Sequence, residues 1–480
     1  MSVSEAGVTS TDVPLYVDLD GTILCSDLLH ESFLSAFKAS PWVGLQCVGW
    51  LMHGRARVKE ELAARASIDV TLLPYRESVL AFLREERARG RRIVLTTASW
   101  TTLAESVARH LGIFDAVLAT SRAGNLKGEA KARRIAELSG ERSFDYVGDS
   151  GADIAVWKRS RHAYVVESGD RLSARIPAEV PVKRVFRPSQ GLWRAAVRAL
   201  RPHQWAKNLL VFVPLLAAHR IGDTTAVVAA ISGFVAFCLL ASGTYVVNDL
   251  FDLDADRAHP TKRLRPIASG QVAIPVALGL AALTLAAGAL VASRLDALFG
   301  LALGAYFALT LAYSLWLKRA AVLDVISLAT LYVVRIVAGT FAIGAAPSFW
   351  LLAFAMFIFF SLALVKRYAE LVALEDAGRA APGRGYAGHD AEVVLAIGSA
   401  SAMVSAMVLA LYINGEAAKD LYSRPEVLWV LCPLFLYWVS RIWLLAARGR
   451  MHEDPVLFAV RDKVSYAVAA IGAVAIVVAT

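Results

Sequence analysis

Cysteine is scarce: the 480 residues hold four, Cys25, Cys47, Cys238 and Cys432, at no paired spacing. That excludes a disulfide framework and a clustered zinc site. The opening stretch MSVSEAGVTSTDVPLY lacks the basic start and apolar core of a secretory signal. The N-terminal part is therefore expected to stay in the cytoplasm. No segment interleaves Lys or Arg with aromatics as a nucleic-acid surface would. The net charge of +9 is simpler to read as cationic loops facing anionic lipid, with no nucleic acid as partner. Charged residues make up 19% of the chain and hydrophobic ones 57%, too apolar a balance for an ordinary soluble protein.

The apolar residues are unevenly spread. Residues 1–190 read as soluble α/β sequence, whereas from about 205 onward apolar runs of roughly 18–23 residues recur, enough to cross a bilayer. At this length two or more domains are expected.

In the soluble part, the short apolar strand Leu15-Tyr16-Val17 runs into Asp18-Leu19-Asp20-Gly21-Thr22. Carboxylates at i and i+2 past a strand end point the same way, at the end of a parallel sheet where ligands bind. A second strand, Arg92–Leu95, ends in Thr96-Thr97-Ala98-Ser99 and is followed by a helix to about Leu111. A third, Phe144–Val147, ends in Gly148-Asp149-Ser150-Gly151-Ala152-Asp153. Between them, Gly124-Asn125-Leu126-Lys127-Gly128 carries a lysine just before a helix. The set offers carboxylates for a metal, and a hydroxyl and an ammonium for phosphate.

This order of motifs over residues 14–170 resembles the haloacid dehalogenase (HAD) superfamily of phosphohydrolases. The resemblance implies a Rossmann-like α/β fold with Asp18 as nucleophile and Asp20 as general acid and base. It assigns Asp18, Asp149 and Asp153 to Mg²⁺, a hard cation that takes oxygen ligands, and Thr97 and Lys127 to phosphate. Residues 25–90 would form a helical cap that selects the substrate. Residues 171–200 follow as a basic linker with Arg171, Arg175, Lys183, Arg184, Arg187, Arg194 and Arg198.

Nine apolar spans are expected, at about 203–219, 225–247, 271–292, 297–316, 321–343, 349–366, 392–413, 427–446 and 464–480. Loops after the even-numbered spans hold most of the basic residues, from Arg257 and Lys262 through Lys318, Arg319, Arg379 and Arg384 to Arg461 and Lys463. Loops after odd-numbered spans hold only Arg220, Arg294, Lys419 and Arg424. The positive-inside rule places the even loops in the cytoplasm, on the side of the soluble domain. An inner-membrane, multi-pass arrangement is the expectation.

Span 2 ends in Asn248-Asp249-Leu250-Phe251-Asp252-Leu253-Asp254-Ala255-Asp256. Asp249, Asp252 and Asp256, at i, i+3 and i+7, are expected on one helical face, with Asp254 off that stripe. A carboxylate deep in a membrane costs about 2.5–3.5 kcal/mol, so a cluster calls for compensation, such as a divalent cation bridging to phosphate oxygens. Arg257, His259, Lys262, Arg263 and Arg265 follow, a run suited to further phosphates.

Asn248-Asp249-x-x-Asp252-x-x-x-Asp256 resembles the first aspartate motif of the UbiA superfamily of membrane transferases, over roughly residues 195–480. Tyr313-Ser314-Leu315-Trp316-Leu317-Lys318-Arg319 resembles the family's Tyr-x-x-x-Lys-Arg segment. A second aspartate motif is missing: its place reads Val365-Lys366-Arg367-Tyr368-Ala369-Glu370-Leu371. The pattern looks like the polyprenyl-phosphate phosphoribosyltransferase branch, carried by Arg201–Asn208, Asp256–Ile267 and Lys366–Glu370, with Asp324 and Arg461-Asp462 also fitting. That resemblance implies phosphoribosyl pyrophosphate as donor and a polyprenyl phosphate as acceptor. Mg²⁺ on Asp249, Asp252 and Asp256, aided by Lys262, Arg263 and Arg265, would hold the donor's pyrophosphate. Asn248 belongs to the same motif, and Lys318 to the phosphate-binding set. Lys366, Arg367 or Lys207 would position the lipid phosphate, with Tyr245, Tyr313 and Asp324 as further candidates. The HAD domain would then remove the 5-phosphate from the transferred ribose. An aromatic prenyltransferase, a HAD-bearing membrane receptor or scaffold, and a transporter are the competing readings.

Overall fold

The computed structural model describes residues 13–167, 171–187, 191–376, 385–387, 390–451 and 455–480. Arg379 and Arg384 of the loop count lie outside them. The chain divides into two compact units, Met1–Leu200 with Tyr245–Ala281, and Arg201–Thr244 with Ala282–Thr480.

In the first unit, β1 (Leu15–Val17) leads through a tight coil, Leu19–Ile23, to helices α1 (Leu28–Ala39), α2 (Val43–Leu51) and α3 (Arg55–Arg65). Then follow α4 (Glu77–Ala88), β2 (Ile93–Trp100), α5 (Thr101–Leu111), β3 (Ala116–Thr120), α6 (Glu129–Ser139), β4 (Asp145–Gly148), α7 (Ile154–Trp157), β5 (His162–Val166), β6 (Val182–Phe186) and α8 (Leu192–Ala199). All six strands are parallel, in the order β3-β2-β1-β4-β5-β6. Such a sheet is buried on both faces, and its strands read as short apolar runs. One face packs Leu15, Val17, Ile93, Leu95 and Val147 against α4 and α5; the other packs Tyr16, Val94, Phe144, Tyr146 and Val165 against α6 and α7.

Two sequence boundaries shift. The cap expected over 25–90 is smaller, because Val79, Leu80, Phe82 and Leu83 put α4 in the sheet's core. The stretch read as a basic linker over 171–200 contains β6, which pairs with β5 from Ala163↔Val182 to Val166↔Phe186. Lys183 and Arg184 are exposed on this edge strand, where charge is common, and so hide its period.

The first unit also holds the end of α10 (Thr224–Phe251), α11 (Leu253–Ala258) and the start of α12 (Ile274–Ala292). Leu34 of α1 and Ala195 and Ala199 of α8 share one apolar cluster with Val246, Leu250, Leu253, Ile267 and Ala268.

The second unit is helical: a 3-10 stretch Pro202–Phe212, α9 (Val213–Ala217), most of α10, the rest of α12, α13 (Ala297–Leu315), α14 (Leu323–Ala342), α15 (Phe349–Asp376), α16 (Ala391–Asn414), α17 (Glu416–Leu421), α18 (Leu431–Ala447), α19 (Pro455–Ala459) and α20 (Lys463–Ala479). Its main core joins Val325, Ala329 and Ile336 of α14 to Ile358 and Leu362 of α15 and Val439 and Ile442 of α18. Among the described residues seven helical segments are long and apolar enough to cross a membrane. The expected first span is instead the 3-10 stretch, which Pro202 opens, and the five-residue α9, with Pro214 in its first turn. The last is apolar but 17 residues long.

Candidate active sites

The first site is built at the C-terminal ends of β1, β2 and β4. Asp18 follows β1, and its backbone N–H donates to Val147 O at 2.9 Å. Gly21 turns the coil with φ +75°, and a Cβ there would overlap the Asp149 carboxylate, so only glycine lets the two loops close. Thr22 Oγ1 donates to Asp149 Oδ1 at 3.1 Å. Asp153 is fixed by Tyr146 Oη at 2.7 Å and by Ser150 through its Oγ at 2.7 Å and its N–H at 3.0 Å.

Lys131 of α6, fully buried, reaches Asp18 Oδ1 at 3.0 Å and Asp153 Oδ1 at 3.5 Å. The lysine picked from the sequence, Lys127, is exposed in the loop before α6. Four residues separate the two, and it is Lys131, on α6, that reaches Asp18. Thr97 is at the site but faces Asp20: its Oγ1 donates to Asp20 Oδ2 at 3.1 Å. Ser99 makes a shorter bond to the same oxygen, 2.6 Å, and Leu28 N–H of α1 donates to Asp20 Oδ1 at 2.8 Å. From the cap, Lys59 Nζ donates to Ala98 O at 2.5 Å and Asn125 Oδ1 at 2.7 Å.

The electrostatics follow from burial. It pushes the Asp18 carboxyl well above the usual range despite Lys131, Asp20 up to about 6 and Asp149 to about 7, where Asp153 adds repulsion. Asp153, although burial opposes it, is held low by Lys131, Tyr146 and Ser150. Asp18, Asp149 and Asp153 present oxygens within 4.8 Å of one another, the one such acidic group among the described residues. Three carboxylates face a single buried ammonium. An all-oxygen donor set with surplus negative charge fits a hard divalent cation.

The second candidate site is the acid-rich end of α10. The helix ends at Phe251, and Asp252 (φ −88°, ψ 11°) caps the separate α11. The helix kinks at this residue, yet Asp252 N–H still donates to Asn248 O and Asp256 N–H to Asp252 O, both at 2.8 Å. Asp249 and Asp256 are buried; Asp252 and Asp254 are exposed. Arg265 bridges the buried two, its Nη1 lying 2.5 Å from Asp256 Oδ2 and 3.3 Å from Asp249 Oδ1. Arg265, expected to meet substrate phosphate, thus neutralises the acids in this state. Lys262 and Arg263 are exposed on the short turn Lys262–Leu264, and Asn248 is half-buried one residue before Asp249.

In the second unit, Arg367 is fully buried. Its Nε lies 2.9 Å from Asp324 Oδ2 and it pairs with Glu370. Tyr386 Oη donates to Asp324 Oδ1 at 2.7 Å and accepts Val322 N–H at 2.9 Å. Arg367 Nη2 is buried with no hydrogen-bond partner among the described residues. Lys366 and Lys318 are half-buried. Lys207 lies 5.9 Å from the Tyr332 ring centre. Arg335 packs on the other ring of this group, Tyr306, at 4.6 Å, and donates to Asn208 Oδ1 at 2.9 Å. A buried arginine inside an apolar helix is a residue that the sequence reading passed over.

The profile of the UbiA prenyltransferase family matches residues 209–460. The chain belongs to this family. Residues 15–158 match the haloacid dehalogenase-like hydrolases, so a HAD domain precedes the UbiA part. "Uncharacterized protein y4nM" of Sinorhizobium fredii is 39% identical over 483 residues, spanning all of this chain and 93% of that one. The decaprenyl-phosphate phosphoribosyltransferase of Mycolicibacterium smegmatis is 42% identical over 195 residues, 40% of this chain and 61% of that one. The chain therefore spans less than two thirds of that transferase. Among solved structures, a UbiA homolog from Archaeoglobus fulgidus bound to GPP and Mg²⁺ matches with a TM-score of 0.47 and 20% identity, over 59% of this chain and 99% of that one. Both families are enzymatic, and the apolar helices make this UbiA member a multi-pass membrane protein.

Proposed function

We propose that the chain transfers a 5-phosphoribosyl group from phosphoribosyl pyrophosphate to a polyprenyl phosphate, and that its HAD domain then hydrolyses the 5-phosphate. The observation that carries the reading is the 42% identity to a decaprenyl-phosphate phosphoribosyltransferase. Lys366 and Arg367, standing where a second acidic motif would otherwise be, support it.

In this reading Asp249, Asp252 and Asp256 are the residues that would hold Mg²⁺ at the donor's pyrophosphate, and Lys262 and Arg263 add positive charge. A divalent ion bound there supplies neutralisation of the departing pyrophosphate. The ribose C1–O bond to pyrophosphate breaks, and an oxygen of the lipid phosphate forms the new bond to C1. Lys207, Lys366 and the unpartnered Nη2 of Arg367 are the groups suited to that lipid phosphate.

At the HAD site an Asp18 oxygen attacks the 5-phosphorus. Asp20, whose pKa burial pushes up to about 6, protonates the departing ribose oxygen and then takes a proton from the water that attacks the aspartyl phosphate. Lys131 holds Asp18 and the phosphoryl oxygens, and Asp18, Asp149 and Asp153 would carry the Mg²⁺. In this reading the assembly faces the cytoplasm at an inner membrane, which the excess of basic residues in the even-numbered loops supports.

The test is to incubate the detergent-purified chain with Mg²⁺, a polyprenyl phosphate and radiolabelled phosphoribosyl pyrophosphate, and follow label into the organic phase. Lipid labelling that is lost with Asp249→Ala supports phosphoribosyl transfer. A 5-phosphorylated product accumulating with Asp18→Ala adds the second step. Absence of labelling in the wild type, with prenyl transfer to an aromatic acceptor instead, overturns the donor.

A further inference from the structure

Neither proposed reaction uses Glu31, an acid in the first turn of α1 in the HAD cap. It is almost fully buried, and both its oxygens are taken by one guanidinium: Arg257 Nη2 to Oε1 at 2.7 Å and Nη1 to Oε2 at 3.1 Å. Arg257 follows Asp256 in α11. Its remaining donor, Nε, reaches Ala268 O at 3.1 Å. Arg257 thereby ties α11 to the return segment that carries Arg265, the residue shared by Asp249 and Asp256.

Two contacts along α1 and one just before it show that this segment is seated on the loop. Leu34, one turn after Glu31, packs with Leu250, Leu253 and Ile267. Near the end of α1, Lys38 Nζ lies 3.3 Å from Asp254 Oδ2. Gly270 comes so close to Cys25 that a Cβ on it would stand 2.6 Å from the Cys25 Cβ.

We infer that Glu31 is a positioning residue of the transferase: by clamping Arg257 it sets the geometry of Asp249, Asp256 and Arg265, so the HAD domain forms part of the donor-binding loop whether or not it is turning over phosphate. The inference rests on the reading of that loop as the pyrophosphate site. A buried bidentate pair fixes direction as well as distance. Supporting groups of this kind typically change ligand affinity or activity about 10–100-fold when removed.

The test uses full-length protein with Glu31→Gln and Glu31→Asp, and three readouts. The first is lipid labelling resolved into KM and kcat for the sugar donor and for the lipid phosphate. The second is HAD activity on p-nitrophenyl phosphate. The third is amide hydrogen exchange of residues 253–268. Glu31→Gln is expected to raise the donor KM about 10-fold or more, with the lipid-phosphate KM unchanged and exchange in 253–268 accelerated. Glu31→Asp, which keeps the charge, restores part of both. HAD activity persists, since Glu31 touches none of its reacting groups. Unchanged donor KM and unchanged exchange in Glu31→Gln overturn the inference. So does a loss confined to kcat and shared equally by both activities, which marks simple unfolding. If the wild type labels no lipid, the transfer reading fails by itself. The exchange readout then still decides whether Glu31 holds the loop.

Discussion

Lys131 Nζ lies 3.0 Å from Asp18 Oδ1, whereas Lys127, four residues earlier in sequence, is exposed. Lys131→Ala should therefore lower kcat for p-nitrophenyl phosphate by about 10²–10³-fold, the usual loss of one fixed donor to a transition state. Lys127→Ala should cost far less. Equal losses in the two variants would show that the loop rearranges when phosphate binds.

Three carboxylates around one ammonium make the ion-free HAD site self-repelling. Asp149→Asn is expected to raise the temperature at which the HAD domain unfolds in chelator, because one of the repelling charges is gone. In millimolar Mg²⁺ the order should reverse. A ligand at 100 times its Kd adds about 2.7 kcal/mol to the state that binds it, and the variant loses a ligand. Differential scanning with and without Mg²⁺ reads the crossing. The same order in both conditions would remove the metal from this site.

Asp145 bears on stability rather than chemistry. Burial works against its charge, yet Arg161 and Arg91 hold its carboxyl below the usual range. A group with a depressed folded-state value stabilises the fold above its unfolded value, about 3.9, and that contribution disappears as pH falls through the folded value. The HAD unfolding temperature should drop below about pH 4, and Asp145→Asn should flatten that acid limb while lowering stability at pH 7. A variant with an unchanged acid limb would assign the drop to other carboxylates.

Arg367 and Asp324 form a pair with almost no exposure. Arg367→Ala leaves the Asp324 charge uncompensated and should cost about 3–5 kcal/mol, whereas Asp324→Asn with Arg367→Met should recover much of that loss. A double-mutant cycle of Arg367→Met, Asp324→Asn and the two combined, read as thermal stability in detergent, measures the coupling. If the double variant regains stability without transfer activity, Arg367 serves the substrate as well as the bundle.

The grouping of the HAD carboxylates was legible because they sit where strands end. A two-residue period aims Asp18 and Asp20 together, and Asp149 and Asp153 follow β4 directly. Lys131 was not, since sequence does not fix how a loop phases the helix after it, and Lys127 lies in that loop while Lys131 lies in the first turn of the helix. β6 stayed hidden because an edge strand with Lys183 and Arg184 loses its apolar alternation. In the UbiA part the apolar helices were plain from hydropathy. The kink at Asp252 was not, because a run of acids reads as one unbroken helix until its backbone angles are known. Glu31 carries no local signal, since its partner lies 226 residues away, a separation no local pattern reports.

The cluster that joins Leu34 to Val246, Leu250, Leu253 and Ile267 bears on how this gene can be divided. A chain begun at residue 201 would carry the acid loop into water with its apolar side stripped and Arg257 bared. Gene fission here is not a neutral event: the freed transferase would have to replace those apolar residues, or recruit another protein to cover them. The converse holds for a catalogue of related genomes, where a stand-alone UbiA protein of this kind should carry small or polar residues at the positions of Leu250, Leu253 and Ile267.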